Sequence, residues 1–324
     1  MITRPFFKQF LSLSLLFISM LALSSCSTVK VGERSLNPDD SRHGLKKVLV
    51  VNSNRSVDRY QVAETTYISS LSGMQTTALD LGDEKQPIEY LQDILNQNDF
   101  DIIYCIGAKA LGSIDFIDPG LPVVYNAVLN WRRFQDRQNY FGIASELSPQ
   151  VQLTWFKYFF PDIKRVGVFY SQENQSFIDD ANHAANNLGL NLHALKINHT
   201  GQLILSAEKL LSDVDALWLI SDSSTLSSIK NVNALFKEAD KYQVPIITYN
   251  PVFMDVGAMM SLVADLPTTA RQAALVSMKV SEQSKYKQAI QFPAGSRIIL
   301  NADKVAEYNI KLSPYSMDSV DELH

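Results

Sequence analysis

The sequence predicts an α/β protein built as two Rossmann-like lobes, each with a parallel sheet, joined by a hinge. Three observations lead there. A device is used twice: residues 46–56 (KKVLVVNSNRS) and 165–176 (RVGVFYSQENQS) each pass from a basic residue through a short apolar, β-rich run into an abrupt tip of Ser, Asn and Gln. Strand and helix patterns alternate after each, as expected of a parallel sheet covered on both faces. The chain has 324 residues, long for one globular domain and suited to two.

In the first lobe, 48–51 is an apolar run of a length that suits a fully buried parallel strand. Its polar tip is 52–56. A helix is predicted over 58–70 and a strand over 76–81. Residues 87–96 (PIEYLQDILN) carry Ile88, Leu91, Ile94 and Leu95 at helical spacing behind a proline at an allowed start. The third strand is 101–106 (DIIYCI), which runs into the glycine-bounded stretch 107–112, read as a loop. The fourth strand is 121–126 (LPVVYN). Residues 130–139 (NWRRFQDRQN) break the pattern. A crossing strand over 140–144 and an aromatic helix over 149–159 follow.

The second lobe repeats the plan. Strands are predicted at 166–170, 191–197, 215–220, 244–248 and 257–263, and helices at 177–188, 206–211 and 227–242, with Gly189 at a C-cap position. The tail holds a helix over 268–284, a strand over 297–300 and a last helical turn over 304–309. These are too few for a domain and are expected to return to the first lobe or seal the hinge. The expected division is 45–145 plus about 266–290 for one lobe, and 146–265 plus about 291–315 for the other.

Right-handed crossovers place all strand C-termini along one edge, where ligands bind. The tips on that edge carry Asn52 and Asn54, Asn126, Ser171, Asn174 and Ser176, and Asp222, with Tyr249 and Asn250 close behind. Small hydroxyl and amide groups hydrogen-bond in both senses, and helix N-termini attract anions such as a carboxylate. Plain helix capping explains any one of these residues; four such tips on one edge favour a site for a small polar ligand. Trp131, with polar neighbours Asn130, Arg132 and Arg133, is read as a stacking platform, and the two arginines as partners for a ligand anion. A solvated loop or partner surface is the other reading of this stretch.

No reaction is proposed by the residues. The 107–112 stretch lacks the Lys-Ser/Thr ending of a phosphate loop. His183, His193 and His199 are scattered, and no serine sits in a G-x-S-x-G elbow. The protein is therefore read as a non-enzyme without metal or cofactor. The formal charge of −5 shows no basic excess and speaks against nucleic acid.

The first 26 residues read as a leader. Arg4 and Lys8 precede an apolar run over 10–23 that suits the core of a secretory signal. Leu23-Ser24-Ser25-Cys26 resembles the bacterial lipobox, which implies lipidation of Cys26 and anchoring in the cell envelope without a transmembrane helix. By the sorting rules of such proteins, Ser27 favours the outer membrane over the inner one, on the periplasmic face. Residues 27–44 read as a tether. Cys105, in the third strand, is expected to be a small core residue.

From Arg165 to Leu312 the chain resembles ABC transporter substrate-binding proteins with the type I periplasmic-binding-protein fold, some of them lipoproteins linked to tryptophan or tyrosine uptake. The stretches 166–176 (VGVFYSQENQS), 214–228 (VDALWLISDSSTLSS), Val244-Pro245-Ile246 and Leu300-Asn301 carry it, with a looser match through 121–128 (LPVVYNAV). The resemblance implies ligand contacts at Asn126, Ala127, Asn174, Ser176 and Asp222, and delivery of a small amino-acid-like ligand to an ABC permease. Where family members commonly continue with Asp-Pro after the fourth strand, this chain has Leu129-Asn130-Trp131-Arg132-Arg133, which alters the cleft mouth. The alternative role is a ligand sensor or accessory envelope lipoprotein docked to a membrane receptor or assembly partner.

Overall fold

The computed structural model describes residues 45–199, 201–282, 286–287 and 289–324. The leader, Cys26 and the tether lie outside the described residues, as does Ser284 at the end of the helix expected over 268–284.

The first sheet runs in the order β2-β1-β3-β4-β5-β11: β2 is Met74–Asp80, β1 Lys46–Asn52, β3 Ile102–Ile106, β4 Val123–Asn126, β5 Tyr140–Ile143 and β11 Ile290–Gln291. Every pair in it is parallel. Side chains alternate across a strand, so β1 feeds two cores at once. Leu49 and Val51 pack with α2 (Pro87–Gln97) and α3 (Ala108–Ile117). Val48 and Val50 pack with α1 (Asp58–Ser70) and α9 (Leu266–Glu282), where Ala63, Ala270, Ala273 and Ala274 let the helices approach closely.

The second sheet runs β7-β6-β8-β9-β10-β12-β13: β7 is Asn191–Lys196, β6 Arg165–Tyr170, β8 Ala216–Trp218, β9 Ile246–Thr248, β10 Met260–Ala264, β12 Ser296–Leu300 and β13 Glu322–Leu323. Helices α4 (Pro149–Phe159) and α5 (Gln175–Leu188) cover one face, with Phe156 and Phe177 against the fully buried Trp218. Helices α6 (Gly201–Leu211) and α8 (Ile229–Tyr242) cover the other. The short α7 (Ser223–Leu226) follows β8, and α10 (Ala302–Glu307) follows β12.

The first five strands of each sheet take the same order, second, first, third, fourth, fifth. The repeated opening device is thus β1 in one sheet and β6 in the other. The chain passes between the sheets three times, after β5, after β10 and after β11.

Local signals explain the boundaries. α4 starts with Pro149 behind Ser148, whose Oγ accepts from the Val151 N–H at 3.3 Å. α5 stops at Gly189, left-handed at φ 67°.

Four features differ from expectation. The stretch read as a glycine loop is the first half of α3: Gly112 sits on its exposed side, while Ala110, Leu111 and Ile114 are buried. α6 begins at Gly201, earlier than expected. β11 and β13 have two residues each, too short to show a period. β12 is antiparallel to β10, its chain arriving from β11 of the other sheet across residues 292–295.

Candidate functional site

In sheets of this order, ligands bind outside the strand C-termini where neighbouring connections diverge. Here that happens between β1 and β3 and between β6 and β8.

The first of these tips is bound up in its own hydrogen bonds. Asn52 donates its amide to Glu64 Oε2 at 2.8 Å, and Arg55 Nε donates to Glu64 Oε1 at 2.9 Å. Asn54 Oδ1 accepts from the Ser56 N–H at 2.9 Å. Ser53 Oγ accepts from the Ala110 N–H at 3.0 Å and so caps α3. Gly107 makes room for this arrangement: at φ +84°, a Cβ there would lie 2.6 Å from Ser53 Oγ. Lys109, next along, donates to the carbonyls of Leu81, Gly82 and Glu84 at 3.1, 2.8 and 3.1 Å. Its charge is committed to the β2–α2 turn.

The second tip is only partly satisfied. Asp222 accepts from the Ser171 N–H at 2.6 Å, the Asn174 amide at 2.8 Å and the Thr225 N–H at 2.9 Å. Ser171 Oγ and Asn174 Oδ1 are left buried without a hydrogen-bond partner, on residues only 6% and 4% exposed. Unmet buried polar atoms of this kind are costly in a folded chain. Ser176 stands exposed on α5.

At the end of β4, the fully buried Asn126 accepts from the Tyr104 hydroxyl at 2.8 Å and donates to Thr269 Oγ1 at 3.4 Å. Ala127 follows with φ 53°, a left-handed conformation that costs a residue with a side chain energy and is concentrated at functional sites.

Trp131 is no open platform. It opens a 3-10 turn, Trp131–Phe134, and is buried, with its indole N–H shared by both oxygens of Glu146 at 3.1 Å. Arg132 Nη1 pairs with the same carboxylate at 2.6 Å. The Arg132 guanidinium also lies 4.4 Å from the Trp131 ring and 5.2 Å from that of Phe177 on α5. The loop after β4 in the first sheet is thereby tied to the crossing segment and to the second sheet's helix layer.

A cavity of about 560 Å³ opens beside these groups, within the 300–1,000 Å³ range of small-molecule sites. Both sheets contribute to its wall. Ala127, Leu129 and Ser145 come from the first half of the chain, with Arg59 on α1. Tyr249, Asn250 and Pro251 follow β9, and Asp265, Leu266 and Thr269 open α9. Arg297 lies on β12. Of the residues picked from sequence, the wall includes Ala127, Tyr249 and Asn250; Asn52, Asn54, Asn126, Trp131, Ser171, Asn174, Ser176 and Asp222 are not on it. The second tip reaches the wall indirectly. Asn174 donates to the Ser221 carbonyl at 3.2 Å, and the Ser221 side chain lies near enough to Tyr249 to act on its phenol. Burial raises the Tyr249 pKa against the influence of Ser221, with Glu146 and Asp222 adding to the rise, so the phenol stays protonated as a donor.

Arg59, Ser145, Glu146, Asp265, Thr269 and Arg297 were not singled out from the sequence. Asp265 had a signal: its carboxylate accepts from the Thr268 N–H at 3.0 Å, the N-cap pattern expected before a helix. Arg59 and Arg297 carry no motif. Among the described residues, no cluster of three His, Cys, Asp or Glu could hold a metal, and no helix is long and apolar enough to cross a membrane.

Comparison with solved structures finds the same fold at low identity. An ABC domain from Streptococcus pneumonia in complex with L-Trp has 16% identity and a TM-score of 0.57, over 86% of this chain and 99% of that one. The ligand-free, open structure of a substrate binding protein with adhesive properties from Clostridium difficile has 14% identity and a TM-score of 0.64, over 86% and 98%. A conserved domain protein from Vibrio cholerae has 14% identity and a TM-score of 0.56, over 86% and 100%. No curated protein matches by sequence. The expected architecture, two Rossmann-like α/β lobes of the type I periplasmic-binding-protein kind, is the observed one. The family described as ABC transporter substrate binding protein matches residues 80–317, most of the described chain, and this protein belongs to it.

Proposed function

We propose that the protein captures a small, amino-acid-like ligand with an aromatic or other apolar body in the cavity between its two sheets, and closes on it by hinge motion before delivery to an ABC permease. One observation carries this reading: a cavity of about 560 Å³ is walled from both sheets. Ser171 Oγ and Asn174 Oδ1 lie off this wall without hydrogen-bond partners, and closure would bring a polar group of the ligand to them. The Streptococcus protein of the same fold holds L-Trp, a ligand of suitable size. Tyr249 and Asn250 would orient the ligand from the wall, and Ala127 would allow close approach of the backbone. In this reading Cys26 carries the lipid, Ser27 directs the protein to the outer membrane, and the binding lobes work on the periplasmic side.

Calorimetry against amino acids, aromatic acids and their derivatives, with small-angle scattering to follow closure, tests the binding step. The expected result is a bound ligand that makes the protein more compact. A panel-wide absence of heat and of compaction would overturn the proposal. Metabolic labelling with palmitate, lost in Cys26→Ser, tests the anchor.

A further inference from the structure

The charges on the cavity wall are unbalanced. Two guanidinium groups, Arg59 and Arg297, share it with a single carboxylate, Asp265. Asp265 already accepts from both the N–H and the hydroxyl of Thr268. The neighbouring carboxylates are engaged as well: Glu146 by Trp131, Arg132 and Ser145, and Asp222 by Ser171, Asn174 and Thr225. The arginines are not matched in the same way. Arg59 is exposed, donates to the neighbouring Tyr60 hydroxyl at 3.2 Å, and has no carboxylate partner among the described residues. Arg297 meets Glu322 at 3.2 Å, but both side chains are about half exposed, and surface pairs of this kind are weak.

We propose that the ligand of this cleft is a net anion, an apolar body bearing one carboxylate, and that Arg59 and Arg297 hold the carboxylate between them. The inference rests on the reading of the cleft as a ligand site and names the charge that site selects. A ligand ammonium would find one carboxylate on the wall, Asp265, whose Oδ2 already serves Thr268 and faces Arg271 at 3.9 Å. A ligand carboxylate finds guanidinium forks, which bind such groups in bidentate geometry. One negative charge also neutralises the wall. The two arginines belong to opposite sheets, Arg59 through α1 and Arg297 through β12, so a shared anion would draw the lobes together. Glu322 occupies Arg297 as an internal competitor.

The test uses matched acids and amides with the same body: phenylacetate with phenylacetamide, and indole-3-propionate with indole-3-propionamide, each titrated into the purified protein by calorimetry beside L-tryptophan. Each acid is expected to bind at least about tenfold more tightly than its amide, the effect of a charged hydrogen-bonded pair. Arg59→Gln and Arg297→Gln should each bring that ratio toward one and leave the amide unchanged, while Glu322→Gln should tighten the acid. All three side chains are exposed, so folding is not at stake. Equal binding of acid and amide, or a ratio that survives both arginine changes, would overturn the proposal. L-tryptophan binding that ignores both arginines would overturn it while leaving the cleft reading intact. Binding by none of the five probes overturns this proposal too.

Discussion

Glu146 and Arg132 face each other at 2.6 Å, and the carboxylate is only 2% exposed. The pair joins the loop after β4 to the segment that crosses between the sheets. Removing one partner of a buried pair leaves the other uncompensated, at a cost of about 3–5 kcal/mol. Glu146→Gln and Arg132→Ala should each lower stability by about that amount in urea unfolding. Replacing both by Met should cost less than the sum of the single changes, because no lone charge remains.

Ser171 separates folding from binding. Its N–H, which any residue retains, donates to Asp222, while its hydroxyl has no partner. Ser171→Ala should leave stability unchanged or raise it by about 1 kcal/mol, since a buried unmet polar group is removed. The same change should weaken ligand binding about tenfold if the hydroxyl meets the ligand. Thermal melts and calorimetry on one preparation check both.

Two glycines in and before α3 should respond with opposite sign. Gly107→Ala demands a left-handed backbone from a residue with a side chain and drives Cβ into Ser53, so a loss of about 2–3 kcal/mol is expected. Gly112→Ala meets nothing within 4 Å in a helix interior and should gain about 0.5–1 kcal/mol. Denaturant midpoints decide this.

Acid should loosen the start of the second sheet. Burial works against the charge of Asp215, but Arg165 at 2.7 Å and the N–H groups of Arg165 and Lys164 at 2.8 and 3.0 Å outweigh it and hold the pKa below its usual value. A lowered folded-state pKa gives stability that is present above the unfolded value, about 3.9, and lost as pH falls through the folded one. Asp215→Asn should therefore destabilise the protein at pH 7, and by less at about pH 3, below the unfolded value. Unfolding curves at the two pH values test the sign.

Most of the architecture was legible because periodicity and capping are local. The helices Asp58–Ser70 and Pro149–Phe159 lie where the pattern placed them, and Gly189 ends α5. The misses have a common cause. α3 was hidden behind glycines that a helix tolerates when one precedes it and the other faces outward. Trp131 has polar neighbours in sequence, but one of them, Arg132, folds over its ring, and its indole is held by Glu146 from beyond β5. The cavity wall was the least legible part. Arg59, Asp265 and Arg297 come from three distant segments, and only the return of the chain from one sheet to the other brings them to one wall.

The triple passage of the chain between the sheets also sets the order in which the molecule can be completed during synthesis. The first sheet begins with β1, yet the alanine face of α9 that covers Val48, Val50 and Tyr67 is translated only after β10 of the second sheet. A nascent chain therefore carries one finished apolar surface with no cover while the other half is made. Neither half is a contiguous segment, so truncation anywhere before α9 should yield a sticky fragment rather than a working lobe, and holding factors on the nascent chain have a defined surface to shield.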